Sequence, residues 1–256
     1  MAKVRVAAVS YINTIPFLFG LQHHSVKESI ELIVDSPSNC AKMLNSGEVD
    51  LALIPVVLIP DIIGGEVASR YCIAALQEIR SFVLAMNGSL SNLSTLYLDM
   101  NSRTSITAAR VLSQHSWRIA PELKPLERIE TALQLRAGEG AILLGDNVLG
   151  LEASLGCKID MAHEWRKFTG LPFVLAAWVS NRKLPSDFMA LFNDALKYGV
   201  NHLDEAVLIG NPKGILTPQD TRRYLTENIS YIFDNEKMES MKLFQKLHAQ
   251  METVPN

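Results

Sequence analysis

Apolar residues along this chain fall into two spacings that alternate. Short, predominantly apolar runs at Val4 to Val9 and Val49 to Ile54, with a third at Glu31 to Val34, have the length and β-branched content of buried strands. Between them lie helix signals. The polar loop Ser10-Tyr11-Ile12-Asn13-Thr14 runs into Pro16, a residue favoured in the first turn of a helix, and Ser36-Pro37 reads as an N-cap with proline at the first helical position. Cys40 to Leu44 continues that helix and Ser46-Gly47 ends it. Val49 to Ile54 empties into a loop around Pro55 and Pro60, and further strands are expected at Cys72 to Leu76 and Ser81 to Ala85.

After the Asn87-Gly88 turn the same grammar starts afresh. It predicts a strand at Thr95 to Asp99, helices at Ile106 to Ser113 and Ile129 to Ala137, a strand at Ala141 to Leu144, and a turn at Gly145-Asp146. The aromatic and basic run from His163 to Pro172 reads as a connection. Phe173 to Val179 is another apolar strand, and three amphipathic helical stretches follow from about Ser186, Thr217 and Asn235.

This alternation predicts an α/β fold with mostly parallel sheets, organised as two lobes with two crossovers. Residues 1–86 with 175–256 form the first lobe and 87–174 the inserted second. In open parallel sheets the loops at the carboxyl ends of strands meet the ligand. The loops after Val9, Ile54, Asp99 and Leu144 are therefore the ones to watch, with ligand expected between the lobes.

Composition narrows the function classes. With 48% hydrophobic and 20% charged residues the chain has ample material for cores, and its net charge of -3, with Lys and Arg dispersed, supplies no basic stripe for a phosphate backbone. Nucleic acid is not an expected partner. The first strand begins too near Met1 to leave room for an export signal, and no apolar stretch approaches bilayer-spanning length, so a cytoplasmic protein without membrane contact is expected. Cys40, Cys72 and Cys157 are odd in number and far apart, and no His-Glu-x-x-His spacing occurs. Neither a metal nor any other cofactor is expected.

Several polar residues stand where ligand groups would. Ser102, Thr104 and Ser105 place three hydroxyls directly before an apolar helical pattern, where unpaired N–H groups and the helix dipole favour an anion, and Arg103 could add a bidentate carboxylate contact. The alternative is that one hydroxyl merely caps the helix while Arg103 faces solvent. Asn13, in the loop with Ser10, could orient a substrate, or else serve as a turn or cap residue. Asp146 could hold a ligand hydroxyl or cap the next helix. Glu78 and Arg80 could pair across a strand face, which puts Ser81 on the other face. Trp165, Phe168 and Phe173 read more naturally as core than as a stacking platform.

Taken together, the segments Tyr11 to Pro16, Gly47 to Pro55, Ser102-Arg103-Thr104-Ser105, Gly145-Asp146 and Trp165 to Trp178, with Thr169-Gly170-Leu171-Pro172-Phe173 at its centre, resemble the chorismate dehydratase family of the futalosine route to menaquinone. The resemblance covers most of residues 1–180. It implies a type II periplasmic-binding-protein-like fold and removal of water from chorismate, with Asn13 and Ser81 as active-site residues. Ser10, Ser102, Arg103, Thr104, Ser105, Asp146 and Thr169 make up the expected substrate-binding set. The segment Pro55 to Pro60 departs from the family in lacking a Ser and an acidic residue after Pro55, and Leu175-Ala176-Ala177 replaces a more aromatic run. Two other readings fit the same architecture: a small-anion binding or sensor protein, and the related 1,4-dihydroxy-6-naphthoate synthase.

Overall fold

The computed structural model describes residues 3–210 and 214–252. Among these residues two compact units emerge, one of residues 3–74, 174–210 and 214–238, the other of 75–173 and 239–252. The chain begins with β1 (Val4–Val9), α1 (Ile15–His23), β2 (Ile30–Asp35), α2 (Pro37–Ser46), β3 (Leu51–Pro55) and β4 (Glu66–Ala75). It then builds β5 (Phe82–Met86), β6 (Thr95–Leu98), α3 (Arg103–Val111), β7 (Glu122–Pro125), β8 (Glu139–Leu144), α4 (Asp146–Leu151), β9 (Cys157–Asp160) and α5 (Met161–Thr169). It returns through β10 (Phe173–Ser180), α6 (Ser186–Asn201), α7 (Leu203–Gly210), α8 (Pro218–Glu227) and β11 (Ser230–Ile232) to α9 (Asn235–Glu252).

The first unit holds a six-stranded sheet in the order β11-β4-β10-β3-β1-β2, the second a five-stranded sheet in the order β7-β6-β8-β5-β9. Both are mixed, where the alternation of elements predicted mostly parallel sheets. β1 runs parallel to β2 and β3, and β6 to β7 and β8, as βα units require. The strands next to the crossovers run the other way: β10 is antiparallel to β3, and β5 to β8 and β9.

The local signals read from sequence recur in the caps. Ser36 Oγ accepts the N–H of Asn39, Pro37 opens α2, and Gly47 closes it at φ 76. In the first unit, Phe17 from α1 meets the rings of Tyr71, Trp178 and Tyr231 at 6.0, 6.0 and 5.2 Å. The same helix crosses α6 where Gly20 faces the backbone of Ala195 and Gly199 faces that of Pro16. Only glycines permit so close a crossing.

Two boundaries and one helix also need correction. The boundary drawn at residue 86 falls at 74, because β5 is hydrogen-bonded into the second sheet. The closing segment divides at 238, because α9 places Phe244 edge-on against Trp165 and Phe173 at 5.4 and 5.3 Å and Ser240 Oγ accepts Trp165 Nε1 at 2.9 Å. In place of a helix over Ile129 to Ala137 there is one 3-10 turn, Ile129–Leu133. Its three-residue period puts Ile129 and Ala132 against the core of the second unit, where Leu135 packs from beyond the turn, and leaves Leu133 exposed.

Candidate functional site

The register of the second sheet collects three loops at one end. Leu98 pairs with Ile142 in the parallel β6–β8 ladder, and Phe82 pairs with Leu144 in the antiparallel β5–β8 ladder. The residues before β5, those after β6 and those after β8 therefore leave the sheet at the same end. Ser81, the Ser102 to Ser105 turn and Asp146 occupy these three loops. Ser81 is 3% exposed, Asp146 6% and Ser105 1%. Arg103 is half-buried.

The hydroxyl-rich turn is built by side chains that cap its own backbone. Asp99 Oδ1 accepts the N–H of Asn101 at 2.9 Å, and the Asp99 carbonyl accepts the N–H of Ser102 at 3.0 Å. Ser102 Oγ accepts the N–H of Ser105 at 3.3 Å and lies 2.9 Å from Ser105 Oγ. Ser102 is thus the N-cap of α3, and the turn presents the amino end of that helix with Thr104 and Ser105 buried in its first turn.

Ser81 follows a tight reversal that the sequence did not foreshadow. Arg80 has φ 61, and the Ser81 N–H donates to the Ile79 carbonyl two residues back at 2.6 Å, which makes a three-residue γ-turn centred on Arg80. Asp160 Oδ2 accepts the N–H groups of Ile79 and Arg80 at 3.0 and 2.7 Å, while Oδ1 accepts those of Ala162 and His163 at 3.0 and 3.1 Å and caps α5. Burial pushes the Asp160 carboxyl above its ordinary range, and the four backbone donors pull against that shift. Arg80 does not lie on the strand as the alternation suggested; its guanidinium donates to Glu152 Oε2 at 3.0 and 2.7 Å, and Lys158 meets Oε1 at 2.8 Å. Burial alone would raise the Glu152 carboxyl, but hydrogen bonds from Arg80 and Lys158 hold it below its usual value.

Thr169 closes α5: its hydroxyl donates to the Trp165 carbonyl at 2.8 Å and accepts the Leu171 N–H at 3.1 Å, ahead of Gly170 at φ 77. Trp165 is fully buried, in keeping with the core reading.

In the first unit, Ser10 is exposed just past β1, and Asn13 lies in a buried 3-10 turn, Ile12–Thr14. Asn13 is 9% exposed; its Oδ1 accepts the Thr14 hydroxyl at 3.2 Å and its carbonyl accepts the Tyr231 hydroxyl at 3.2 Å. Burial pushes the Tyr231 phenol well above its ordinary pKa, so it remains a proton donor there. This turn sits at the carboxyl end of β1. The Gly-Glu-Val-Asp segment belongs to the other end of the sheet, where Asp50 precedes β3. Its carboxylate accepts Arg5 N, Nε and Nη2 at 3.0, 3.2 and 2.9 Å and Arg182 Nε at 3.1 Å. Despite burial, which acts to raise it, these contacts bring Asp50 down to about 2. That motif is a structural anchor rather than part of the ligand loops.

The segment after Pro55 is a 3-10 helix, Val56–Asp61, in which Val56, Val57 and Ile59 are buried. Apolar residues there serve packing. Among the described residues no group of three or more His, Cys, Asp and Glu could hold a metal ion, and no helix is long and apolar enough to cross a membrane. Cys40 and Cys72 are buried and Cys157 is exposed; burial pushes the Cys40 thiol up to about 12.

Two mixed α/β units joined by strand crossovers define a periplasmic-binding-protein-like fold. A solved structure from Candida albicans, the CA3427 gene product, described as exhibiting the generic periplasmic binding protein fold, is similar with a TM-score of 0.70 at 17% identity, covering 100% of this chain and 92% of that one. Protein AF1704 from Archaeoglobus fulgidus is similar with a TM-score of 0.76 at 14% identity over 98% of both chains. Within that class the chain belongs to the menaquinone biosynthesis family, whose model matches residues 4–250. A chorismate dehydratase from Thermus thermophilus is 26% identical over 226 residues, 76% of this chain and 77% of that protein.

Proposed function

We propose that the chain is a chorismate dehydratase, a hydro-lyase that converts chorismate to 3-[(1-carboxyvinyl)oxy]benzoate and water. The observation that carries this reading is the convergence of Ser81, Asp146 and the Ser102 to Ser105 turn at one end of the second sheet, in a chain of the menaquinone biosynthesis family. The 26% identity to a chorismate dehydratase supports the choice of substrate.

The reaction removes the ring proton beside the enol-ether oxygen and the neighbouring hydroxyl, and aromatisation drives it. Proton loss leaves negative charge delocalised into the ring carboxylate. Donors aimed at that carboxylate stabilise the transition state. The amino end of α3 with the hydroxyls of Thr104 and Ser105, and Arg103 beside them, is the proposed grip.

Asn13 and Ser81 are poor bases near neutral pH. The proposed base is the substrate's own enolpyruvyl carboxylate, oriented by Asn13 and Ser81 for intramolecular proton abstraction. Asn13→Asp tests this point: full turnover with a new pH optimum would favour a protein-supplied base.

The primary test incubates purified protein with chorismate, without metal or nucleotide, and follows the aromatic ether by absorbance and mass. Absence of product sinks the assignment. Tight binding of chorismate without turnover would favour a small-anion binding protein of the same fold.

A further inference from the structure

The geometry points to Asp160 as the residue that positions Ser81, by holding Arg80 in its left-handed γ-turn. This inference rests on the proposed role of Ser81 in chorismate dehydration and adds to it a residue outside the expected site.

A residue with a side chain at φ 61 is strained, and a γ-turn of this hand is rare. Such a conformation persists only where its surroundings over-determine it. Here the surroundings are specific. The N–H groups of Ile79 and Arg80 both point at Asp160 Oδ2, at 3.0 and 2.7 Å. Ser81 is the next residue, and its N–H closes the turn on the Ile79 carbonyl at 2.6 Å. The direction in which Ser81 leaves the turn is therefore set by the dihedral angles that Asp160 imposes on Arg80.

Capping of α5 does not account for all of this arrangement. A cap needs one oxygen, and Oδ1 already receives the N–H groups of Ala162 and His163. Ser, Thr or Asn would cap as well. Only a carboxylate of this length offers a second acceptor oxygen, and that one is committed to the γ-turn.

Two variants separate the roles. In Asp160→Asn the amide oxygen can keep the cap while its NH2 opposes the N–H groups of Ile79 and Arg80. Asp160→Ser keeps a cap oxygen and has no second acceptor. In both, amide exchange at Ile79 and Arg80 should accelerate by about tenfold or more, with Ala162 and His163 still protected. Turnover should fall by about tenfold to a hundredfold, the range for a reacting group misplaced by about 1 Å. Adding Arg80→Gly to either variant should recover most of the lost turnover, because glycine reaches positive φ without a Cβ penalty. A residue that merely capped α5 would gain nothing from glycine at position 80.

Unchanged exchange at Ile79 and Arg80 in both variants overturns the inference, as does loss of turnover that Arg80→Gly leaves unrepaired. If the wild-type protein makes no product from chorismate, the reaction assignment fails separately, and the exchange pattern still decides whether Asp160 holds the turn.

Discussion

The backbone carbonyl of Ser81 accepts the N–H of Gly145 at 2.9 Å, tying the residue that enters β5 to the residue that leaves β8. Gly145 has φ 116 and ψ -178, a region open to glycine alone, and Asp146 begins α4 immediately after it. The tie between two expected site residues thus depends on a glycine. Gly145→Ala should lower stability by about 1 to 3 kcal/mol in urea unfolding and reduce turnover of chorismate, because a Cβ forces the N–H away from Ser81.

The hydroxyls at the start of α3 should divide into a structural one and a ligand-facing one. Ser102→Ala removes the cap on the Ser105 N–H and should cost about 1 kcal/mol of stability. Thr104→Val keeps the shape of the buried side chain and the cap, so its main effect should be a rise of about tenfold in KM for chorismate, as expected for losing a hydrogen bond to a carboxylate. Steady-state kinetics and thermal unfolding on the same preparations separate the two.

Asp50 makes a pH prediction. Its folded-state value of about 2 lies below the ordinary 3.8, so its contribution is full above pH 3.8 and disappears as pH falls through 2. The Arg5 and Arg182 side chains that pair with it are 41% and 53% exposed, and solvent screening reduces the contribution to about 1 to 2 kcal/mol. Asp50→Asn should be destabilised by that amount near neutrality. The gap between variant and wild type should close below pH 2, as followed by urea unfolding across the acid range.

The α1–α6 crossing should tolerate no added atom. At Gly199 a Cβ would overlap the carbonyl of Pro16, and at Gly20 that of Ala195, and neither is the end of a flexible side chain. Gly199→Ala should cost about 3 kcal/mol or more, or prevent folding, since the helices must part to admit it. Gly156→Ala, where nothing lies within 4 Å, should change stability by less than about 0.5 kcal/mol in the same denaturation assay.

Which elements were legible in the sequence follows from where they lie. β1, β3, β5, β8 and β10 are interior strands buried on both faces, and their apolar runs announced them. The strands that gave no signal, β7, β9 and β11, are all at sheet edges. β7 alternates weakly and ends in Pro125, β9 shows the burial of a surface segment, and β11 spans three residues. The helix α5 was hidden because the run from His163 to Pro172 mixes aromatic, basic and turn residues and reads as a connection, although Asp160 before Met161 carries the usual N-cap signal. In the candidate site the hydroxyl turn and the Gly145 corner were readable because local chemistry dictates both. The γ-turn at Arg80 was not, since its anchor Asp160 is 80 residues away in the chain.

The placement of α9 has a consequence for synthesis. Trp165 and Phe173 meet edge-on at 5.8 Å, Phe244 packs against both rings, and Ser240 takes the N–H of the Trp165 indole. When the ribosome reaches residue 239, every strand of both sheets has been translated, yet the aromatic pair of the second unit still lacks its cover from α9. Translation must reach α9 before this earlier-made core can close, and the nascent chain carries an exposed apolar surface of its own making until then.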